Sequence, residues 1–353
     1  MNALIALKRH GLHRLFHAPD SVLRRMSGPA IVSPDGLELD LRTQLMLVFS
    51  EKIGPKPLWE LGVLKGRASM DASVGIVNAN PKGVLQILDQ RIPAAEGQSS
   101  MAIRVYTPPN PDRALPIIVY YHGGGFVVGS IQSHDAECKL LALEVNAIVV
   151  SVEYRLSPEH RFPAAVDDGH AAFRWVARHA QALGGDPSRM AVAGDSAGGN
   201  IAAVVALDCR DQGDLVQPVF QFLIYPCTDL TRSHESHRMF RSGFFLDEAG
   251  LDWYMDHYLR GGEDKYHSRG SPLFAENHKG LPPALIITAG FDPLRDEGKA
   301  YADKLTQAGV STQYRCYDGL IHGFFSMSFL LPEARRAISE SVETLRGALG
   351  SNR

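Results

Sequence analysis

The chain has 353 residues, of which 45% are hydrophobic and 21% charged, and its formal net charge is −3. This composition is typical of a globular protein with a large buried core, and the length suits one large α/β unit as well as two ordinary domains. The small net charge, with acidic and basic residues interspersed, argues against a surface that binds nucleic acid or an anionic membrane.

The cysteines and the N-terminus predict the compartment. Four widely spaced cysteines without a C-x-x-C pair favour free thiols in a reducing compartment over a metal site or a disulfide framework: Cys138, Cys209, Cys227 and Cys316. Residues 1–16 lack the ordered regions of a signal peptide, and no apolar run is long enough to span a membrane. We therefore expect a cytoplasmic protein without stable membrane insertion, with an amphipathic N-terminal helix on a surface as the open alternative.

Regular alternation of elements begins at about residue 100. Short apolar runs predict seven strands, at Ala102–Tyr106, Ile117–Tyr121, Ala147–Val152, Met190–Ala193, Phe220–Tyr225, Leu285–Thr288 and Thr312–Cys316. Helical periodicity lies between and after them, near residues 134–145, 164–183, 197–211, 296–308 and 332–348. Apolar strands that alternate with helices predict an α/β fold whose mostly parallel sheet is covered on both faces.

Two regions do not follow this alternation. Residues 1–95 contain helix-like pieces, of which Leu39–Glu51 is the clearest, and loops rich in glycine, proline and serine. Residues 229–283 are rich in histidine, arginine and aromatic residues. We interpret them as an N-terminal cap segment and a cap insertion over a catalytic α/β domain formed by residues 96–228 and 284–353. The alternative is an independent N-terminal domain with a long surface excursion.

Ser196 is the candidate nucleophile. It lies in Gly194-Asp-Ser-Ala-Gly198, between an apolar strand and a helix-like segment. A G-x-S-x-G sequence in that setting is typical of the nucleophile elbow, a strained turn in which the flanking glycines avoid a steric clash. The turn also directs the N–H of Ala197 toward the substrate at a helix N-terminus. The alternative is a glycine-rich turn with an incidental serine.

A serine nucleophile needs a base and an acid that orients the base. In this fold these residues follow later strands in the order acid, then histidine. His322 lies after the last strand and before the last helix, and Asp292 lies directly after the strand Ala284–Ala289. Asp318 is the alternative acid, although turn formation with Gly319 explains it as well. The histidines of residues 229–283 are expected to be solvated or to serve packing.

The loop after the strand Ile117–Tyr121 is the candidate oxyanion hole. In His122-Gly-Gly-Gly-Phe126 the glycines leave backbone N–H groups unshielded, so an oxyanion can approach them. We assign Gly124 and Gly125 as donors together with Ala197, Gly123 to loop geometry, and His122 as an anchor. A phosphate-binding loop is the rival interpretation, but the sequence has neither a Walker-type nor a Rossmann-spaced glycine motif.

With these motifs in order, the chain resembles the hormone-sensitive-lipase-like family of α/β-hydrolases, in the branch with a Gly-Asp-Ser-Ala-Gly elbow. The matching stretches are H-G-G-G-F at 122–126, Y-R-L-S-P-E-H-R-F-P-A-A at 154–165, G-D-S-A-G-G-N at 194–200, D-P-L-R-D-E-G at 292–298 and I-H-G-F at 321–324. The resemblance implies about eight strands, a cap built from both irregular regions, and esterase activity without a cofactor or metal. It also implies that Asp195 and residues 154–165 are mainly structural supports.

The expected function is that of a serine carboxylesterase acting on small-molecule esters of short to medium chain length through an acyl-enzyme. The same serine chemistry would serve an amidase or a lactonase, and a hydrolase-fold binding protein without catalysis is the alternative from another class. Four aromatic residues of the cap insertion are candidates for the substrate pocket, with packing of the cap on the core as the alternative: Phe244, Phe245, Trp253 and Tyr254. The last strand, Thr312–Cys316, is a candidate edge for homodimer pairing.

Overall fold

The computed structural model describes residues 3–77, 81, 83, 85–95, 100–109 and 113–350. Its helices are α1 Ala3–Phe16, α2 Asp20–Ser27, α3 Leu41–Ile53, α4 Leu58–Leu61, α5 Val63–Val77, α6 Asp135–Val145, α7 Ala164–His179, α8 Ala197–Asp211, α9 Glu235–Met239, α10 Glu248–Tyr258, α11 Arg295–Gln307 and α12 Pro332–Leu349. Its strands are β1 Gln86–Pro93, β2 Ser100–Thr107, β3 Leu115–Tyr121, β4 Ile148–Glu153, β5 Gly185–Asp195, β6 Phe220–Ile224, β7 Ala284–Phe291 and β8 Thr312–Ile321. Short 3-10 turns follow at Gly262–Tyr266, Pro272–Phe274 and Phe324–Met327.

The eight strands form one sheet in the order β1-β2-β4-β3-β5-β6-β7-β8. The pairs β1–β2 and β2–β4 are antiparallel, and every later pair is parallel. All residues of β3, β6 and β7 are buried, as expected for central strands with helices on both faces. The predicted α/β fold with about eight mostly parallel strands is confirmed.

Helices cover the sheet on both sides because alternate residues of each strand point to opposite faces. Ile117 and Val119 of β3 belong to the apolar core that α7, α8 and α11 close, and Ile118 belongs to the core that α6 and α12 close. The helix α8 is buried around its whole circumference from Ala197 to Cys209, as expected for a helix enclosed in the core. Because the strands from β4 to β8 in the sheet order are parallel, their C-terminal ends lie at the same edge of the sheet. The loops after β3, β5, β7 and β8 meet at this edge.

The strand β1 corrects the predicted extent of the N-terminal cap segment, which was expected to include residues 86–93. These residues instead form an antiparallel edge strand of the sheet, in which Gln86 pairs with Thr107 and Pro93 with Ser100. Most of its side chains are exposed, so the strand has no apolar run that would mark it in the sequence. The N-terminal segment, as used below, consists of α1–α5 and the loops between them.

The N-terminal segment and the cap insertion, residues 229–283, contact one another. Trp59 of α4 lies beside Gly250 of α10, where a Cβ on the glycine would be 3.6 Å from Cδ1 of the indole. From α5, the Arg67 guanidinium donates to the carbonyls of Val127 and Ser157, both at 2.9 Å, and forms a two-pronged ion pair with Glu159. The N-terminal segment thus joins the insertion at one end and the loop after β3 at the other.

Candidate active site

Ser196 lies in the turn between β5 and α8, with φ 56° and ψ −118°. This left-handed conformation is strained for a residue with a Cβ, and such strain is typical of a nucleophile elbow. A Cβ on Gly194 would collide with the Gly198 carbonyl, and one on Gly198 with the Tyr121 carbonyl of β3. The Ser196 N–H donates to the Ile224 carbonyl at 2.8 Å, so the neighbouring strands stabilise the turn from both sides.

The structure brings His322 and Asp292 to this turn. The imidazole Nε2 of His322 is 2.9 Å from Ser196 Oγ, and its Nδ1 is 2.8 Å from Asp292 Oδ2. Asp292 is fully buried directly after β7, and its other oxygen accepts from the Leu294 N–H at 2.9 Å. The carboxylate therefore orients the ring with Nδ1 protonated, which leaves Nε2 free to accept the serine proton.

The alternative acid does not lie beside this imidazole. Asp318 is an exposed residue within β8, which continues to Ile321 and so carries His322 at its end. The histidines of the cap insertion have other partners: His234 lies by Asp229, His237 by Glu297, His257 by the Trp253 carbonyl, His267 by the Arg269 N–H and His278 by the Pro272 carbonyl.

The oxyanion loop, residues 122–126, lies against the same turn. Gly124 has φ 119° and Gly125 has φ 59°, conformations that favour glycine. The Gly124 carbonyl accepts from the N–H groups of Val127 and Val128 at 3.1 and 3.0 Å. Across the described part of the chain, neither Gly124 nor Gly125 donates its own N–H to a backbone carbonyl. The loop thus contains two donors of the kind that an oxyanion hole needs.

His122 and Gly123 lie behind these donors. The His122 ring stacks on Tyr154 with ring centroids 4.2 Å apart, and its Nδ1–H donates to the Gly123 carbonyl at 2.8 Å. Burial, together with nearby His134, lowers the pKa of His122 to about 3, so the ring stays neutral at physiological pH. The Gly123 N–H donates to Asp195 Oδ1 at 2.9 Å and is therefore occupied within the protein.

The four candidate pocket aromatics separate into two groups. The Tyr254 ring lies on the backbone of Gly125, where an added Cβ would collide with it. Phe245 is 60% exposed and lies beside Gly323, where an added Cβ would be 3.2 Å from the ring. Trp253 is half-buried and packs on Tyr254 and His257. Phe244, in contrast, packs on Phe240 and Phe291, which makes it part of the cap-to-core packing.

Several residues beside the site carried no recognisable signal in the sequence. Tyr225, directly after β6, packs its ring against His322 with centroids 4.7 Å apart. His134, predicted only as the start of a helix, faces Asp195 at 3.3 Å. From α5, Arg67 donates to the carbonyl of Val127, the residue after the oxyanion loop. Each contact joins residues far apart along the chain, so no local pattern could have indicated it.

A strained serine at the end of a central strand, with a histidine and an aspartate after later strands, defines the class of α/β-hydrolases. Comparison with known families agrees, because the profile of a family described by its alpha/beta hydrolase fold matches residues 118–326. The chain therefore belongs to this α/β-hydrolase family, and the resemblance to the hormone-sensitive-lipase-like family is confirmed. Within the residues that the structure describes, no helix is both long and apolar enough to cross a membrane.

The similar proteins cover nearly the whole chain. The carboxylic ester hydrolase LipN of Mycobacterium tuberculosis is 40% identical over 94% of this chain and 89% of its own length. The ethyl acetate hydrolase of Pseudomonas putida is 36% identical over 88% of this chain and 98% of its own. The structure of an ester-hydrolase from the metagenome of Lake Arreo superimposes with a TM-score of 0.84 at 42% identity, covering 88% of this chain and 99% of its own.

Proposed function

We propose that this chain is a serine carboxylesterase that hydrolyses short- to medium-chain carboxylic esters with Ser196 as nucleophile, His322 as base and Asp292 as orienting acid. The observation that carries the proposal is the pair of contacts from one imidazole, 2.9 Å to Ser196 Oγ and 2.8 Å to Asp292 Oδ2. The reaction class is further supported by the ester hydrolases that are about 40% identical along most of the chain.

The reaction proceeds in two steps. Ser196 Oγ attacks the ester carbonyl carbon while His322 Nε2 takes the serine proton, and the carbonyl oxygen becomes an oxyanion held by the N–H groups of Gly124, Gly125 and Ala197. The carbon–oxygen bond to the alcohol then breaks, and His322 gives its proton to the departing oxygen. Water next attacks the acyl-enzyme with His322 as base, which releases the carboxylic acid and restores the serine hydroxyl.

Single substitutions of the three residues test this assignment. Ser196→Ala, His322→Ala and Asp292→Asn should each lower kcat on p-nitrophenyl butyrate by at least ~10³-fold. The fold should persist, as monitored by circular dichroism and thermal melting. Near-full activity of His322→Ala would contradict the assignment. A matched p-nitroanilide assayed in parallel separates an esterase from an amidase, and faster cleavage of the anilide would overturn the proposed bond preference.

The substrate pocket is proposed to lie between the oxyanion loop and the cap insertion. Tyr254 contacts Gly125 and Phe245 contacts Gly323, so both rings border the two loops that the reacting ester must approach. Aromatic rings that lie directly against these two loops leave little space beside Ser196, which favours short- to medium-chain acyl groups over long ones. We further propose that the N-terminal segment and the cap insertion act as one cap, since Trp59 lies against Gly250.

Two finer properties also belong to the proposal. All four cysteines are free and three are buried, which supports a reducing, cytoplasmic location. The strand β8 ends the sheet beyond β7, and near its C-terminal end the backbone N–H of Asp40 donates to the Gly319 carbonyl at 3.0 Å. We propose that the outer side of Thr312–Cys316 pairs two copies of the chain. Light scattering that gives the mass of one chain at micromolar concentration would contradict this dimer.

A further inference from the structure

A pair of buried charged residues lies behind the oxyanion loop, outside the proposed triad. Asp195 and His134 are 6% and 2% exposed, and His134 Nε2 is 3.3 Å from Asp195 Oδ1. The same carboxylate oxygen accepts from the Gly123 N–H at 2.9 Å and from the Tyr120 hydroxyl at 2.8 Å. Three donors, two from the end of β3 and the loop that follows it and one from the start of α6, thus converge on the residue that precedes the nucleophile.

The contacts of His134 favour its protonated form. Its Nδ1 is 2.8 Å from Ser133 Oγ, which is 2.9 Å from the Ser130 carbonyl and can donate to that carbonyl while it accepts from Nδ1–H. Its Nε2 is 3.3 Å from both the Asp195 carboxylate and the Gly123 nitrogen, and the negative charge of the carboxylate favours a proton on this ring nitrogen. Burial by itself would lower the pKa of His134, but the adjacent Asp195 raises it to about 9. The pKa of Asp195 lies below its ordinary value despite burial, because His134 and Tyr120 stabilise its charge.

This ion pair has a direct connection to the oxyanion loop. A run of three glycines has little conformational preference, so the direction of its N–H groups must be fixed by contacts from outside the loop. Asp195 fixes the first peptide by accepting the Gly123 N–H, and both carboxylate oxygens lie close to Gly123, where a Cβ would collide with one of them. Consecutive peptides share a Cα, so fixing the first limits the directions in which Gly124 and Gly125 can donate.

We propose that Asp195, paired with His134, is the positioning residue of the oxyanion hole. The proposal rests on the assignment of Gly124 and Gly125 as oxyanion donors, and it gives the charged pair a function beyond stabilising the fold. An oxyanion hole accelerates the reaction only if its donors are already oriented when the negative charge forms. A loss of the pair should therefore weaken binding of the transition state much more than binding of the ester.

The test compares Asp195→Asn, His134→Gln and the double variant. Fluorophosphonate titration counts the competent serines, kcat and KM are measured on p-nitrophenyl butyrate, and inhibition is measured with a trifluoromethyl ketone whose adduct places an oxyanion in the hole. For Asp195→Asn, kcat per titrated site should fall by about 10- to 100-fold with little change in KM. The inhibition constant of the ketone should rise by the same factor as kcat/KM falls. The double variant should resemble Asp195→Asn alone, because the two residues act as one pair.

Asp168→Asn is the matched control. Asp168 is also a fully buried carboxylate in an ion pair, with Arg155 donating to its two oxygens at 2.7 and 2.9 Å. This control should lower the melting temperature and leave kcat per titrated site unchanged. If Asp195→Asn does not fold, Tyr120→Phe removes one hydrogen bond to Asp195 at nearly constant volume and should still lower kcat and raise the ketone constant together.

The outcomes separate the two proposals. If every folded variant keeps kcat per titrated site and the ketone constant within about twofold of the parent, the pair serves the fold alone and this proposal is wrong. If instead the fluorophosphonate does not label Ser196 in the unmodified protein, the proposed nucleophile is wrong, whatever the variants of the pair do.

Discussion

The loops around Ser196 and the cap insertion above them are stabilised by different kinds of contact. Around Ser196 the charged residues are buried and paired inside the protein: Asp292 with His322, and Asp195 with His134. In the cap insertion, where His237 forms a buried pair with Glu297 of α11, several charged pairs lie largely in solvent. Arg241 and Glu248, for example, form an ion pair with side chains 65% and 50% exposed.

This difference implies a different tolerance of substitution. A buried polar group that loses its partner costs about 1–3 kcal/mol, whereas an exposed ion pair contributes about 0–1 kcal/mol. The loops also depend on glycine conformations that no other residue adopts easily. We therefore expect the loops around Ser196 to tolerate few substitutions and the cap insertion to tolerate many. Substrate preference can then change while the reaction stays the same.

The largest effect is expected from Gly125→Ala, which tests whether the loops around Ser196 tolerate substitution as poorly as their contacts indicate. The new methyl group would collide with Tyr254 at a residue with φ 59°, so the loop must move and its donors with it. Turnover of p-nitrophenyl butyrate should fall by ~10²-fold or more.

Gly213→Ala is the control for that change. Gly213 also has a positive φ, 66°, but an added Cβ there would meet nothing within 4 Å. It should cost some stability through backbone strain and leave turnover unchanged. Equal activity of the two variants would contradict the expectation that turnover depends on glycine at position 125.

An intermediate effect is expected where the cap borders the site. Phe245→Ala should change the ratio of kcat/KM between octanoyl and acetyl p-nitrophenyl esters by about 3- to 10-fold, because the exposed ring lies beside the loop that carries His322. Melting temperature should change little.

Phe244→Ala provides the contrast within the same segment. Its ring packs on Phe291 at the end of β7, with centroids 5.3 Å apart, so its loss should destabilise the fold by about 2–4 kcal/mol and leave the chain-length ratio unchanged. The reverse result, a shifted ratio only for Phe244→Ala, would mean that the pocket lies on the other side of the cap insertion.

The smallest effect is expected where the N-terminal segment contacts the residues that follow the oxyanion loop. Arg67→Met removes charge-assisted hydrogen bonds to Val127 and Glu159, and it should lower the free energy of unfolding by about 1–3 kcal/mol and kcat by a few-fold. Urea unfolding and steady-state kinetics measure both. Arg241→Met, at the exposed pair of the cap insertion, should stay within about 0.5 kcal/mol of the parent. Equal losses in both variants would contradict the distinction between the two regions.

The sequence alone determined the order of the elements after about residue 100 and named Asp292 and His322 as candidates beside Ser196. Apolar and β-branched runs predicted seven of the eight strands, most of which are buried, although no residue of Thr312–Cys316 in β8 is fully buried. The strand β1 was missed because most of its side chains face solvent. Ser196 and the oxyanion loop were recognisable because strained turns and close approach require glycine at fixed positions. Asp292 and His322 followed from their places at strand ends, although their catalytic roles stay a prediction.

Only the tertiary structure decided which side chains meet across the chain. Nothing in the local pattern distinguished His134 from any residue at the start of a helix, or Arg67 from any arginine on a helix surface. Their partners, Asp195 and Val127, lie on other elements. Hydrophobic periodicity indicates which residues are buried, but it does not indicate which residues they contact. The same limit applies to Phe244 and Phe245, which are neighbours in sequence but point to different surroundings, and only the packing of the cap separates one from the other.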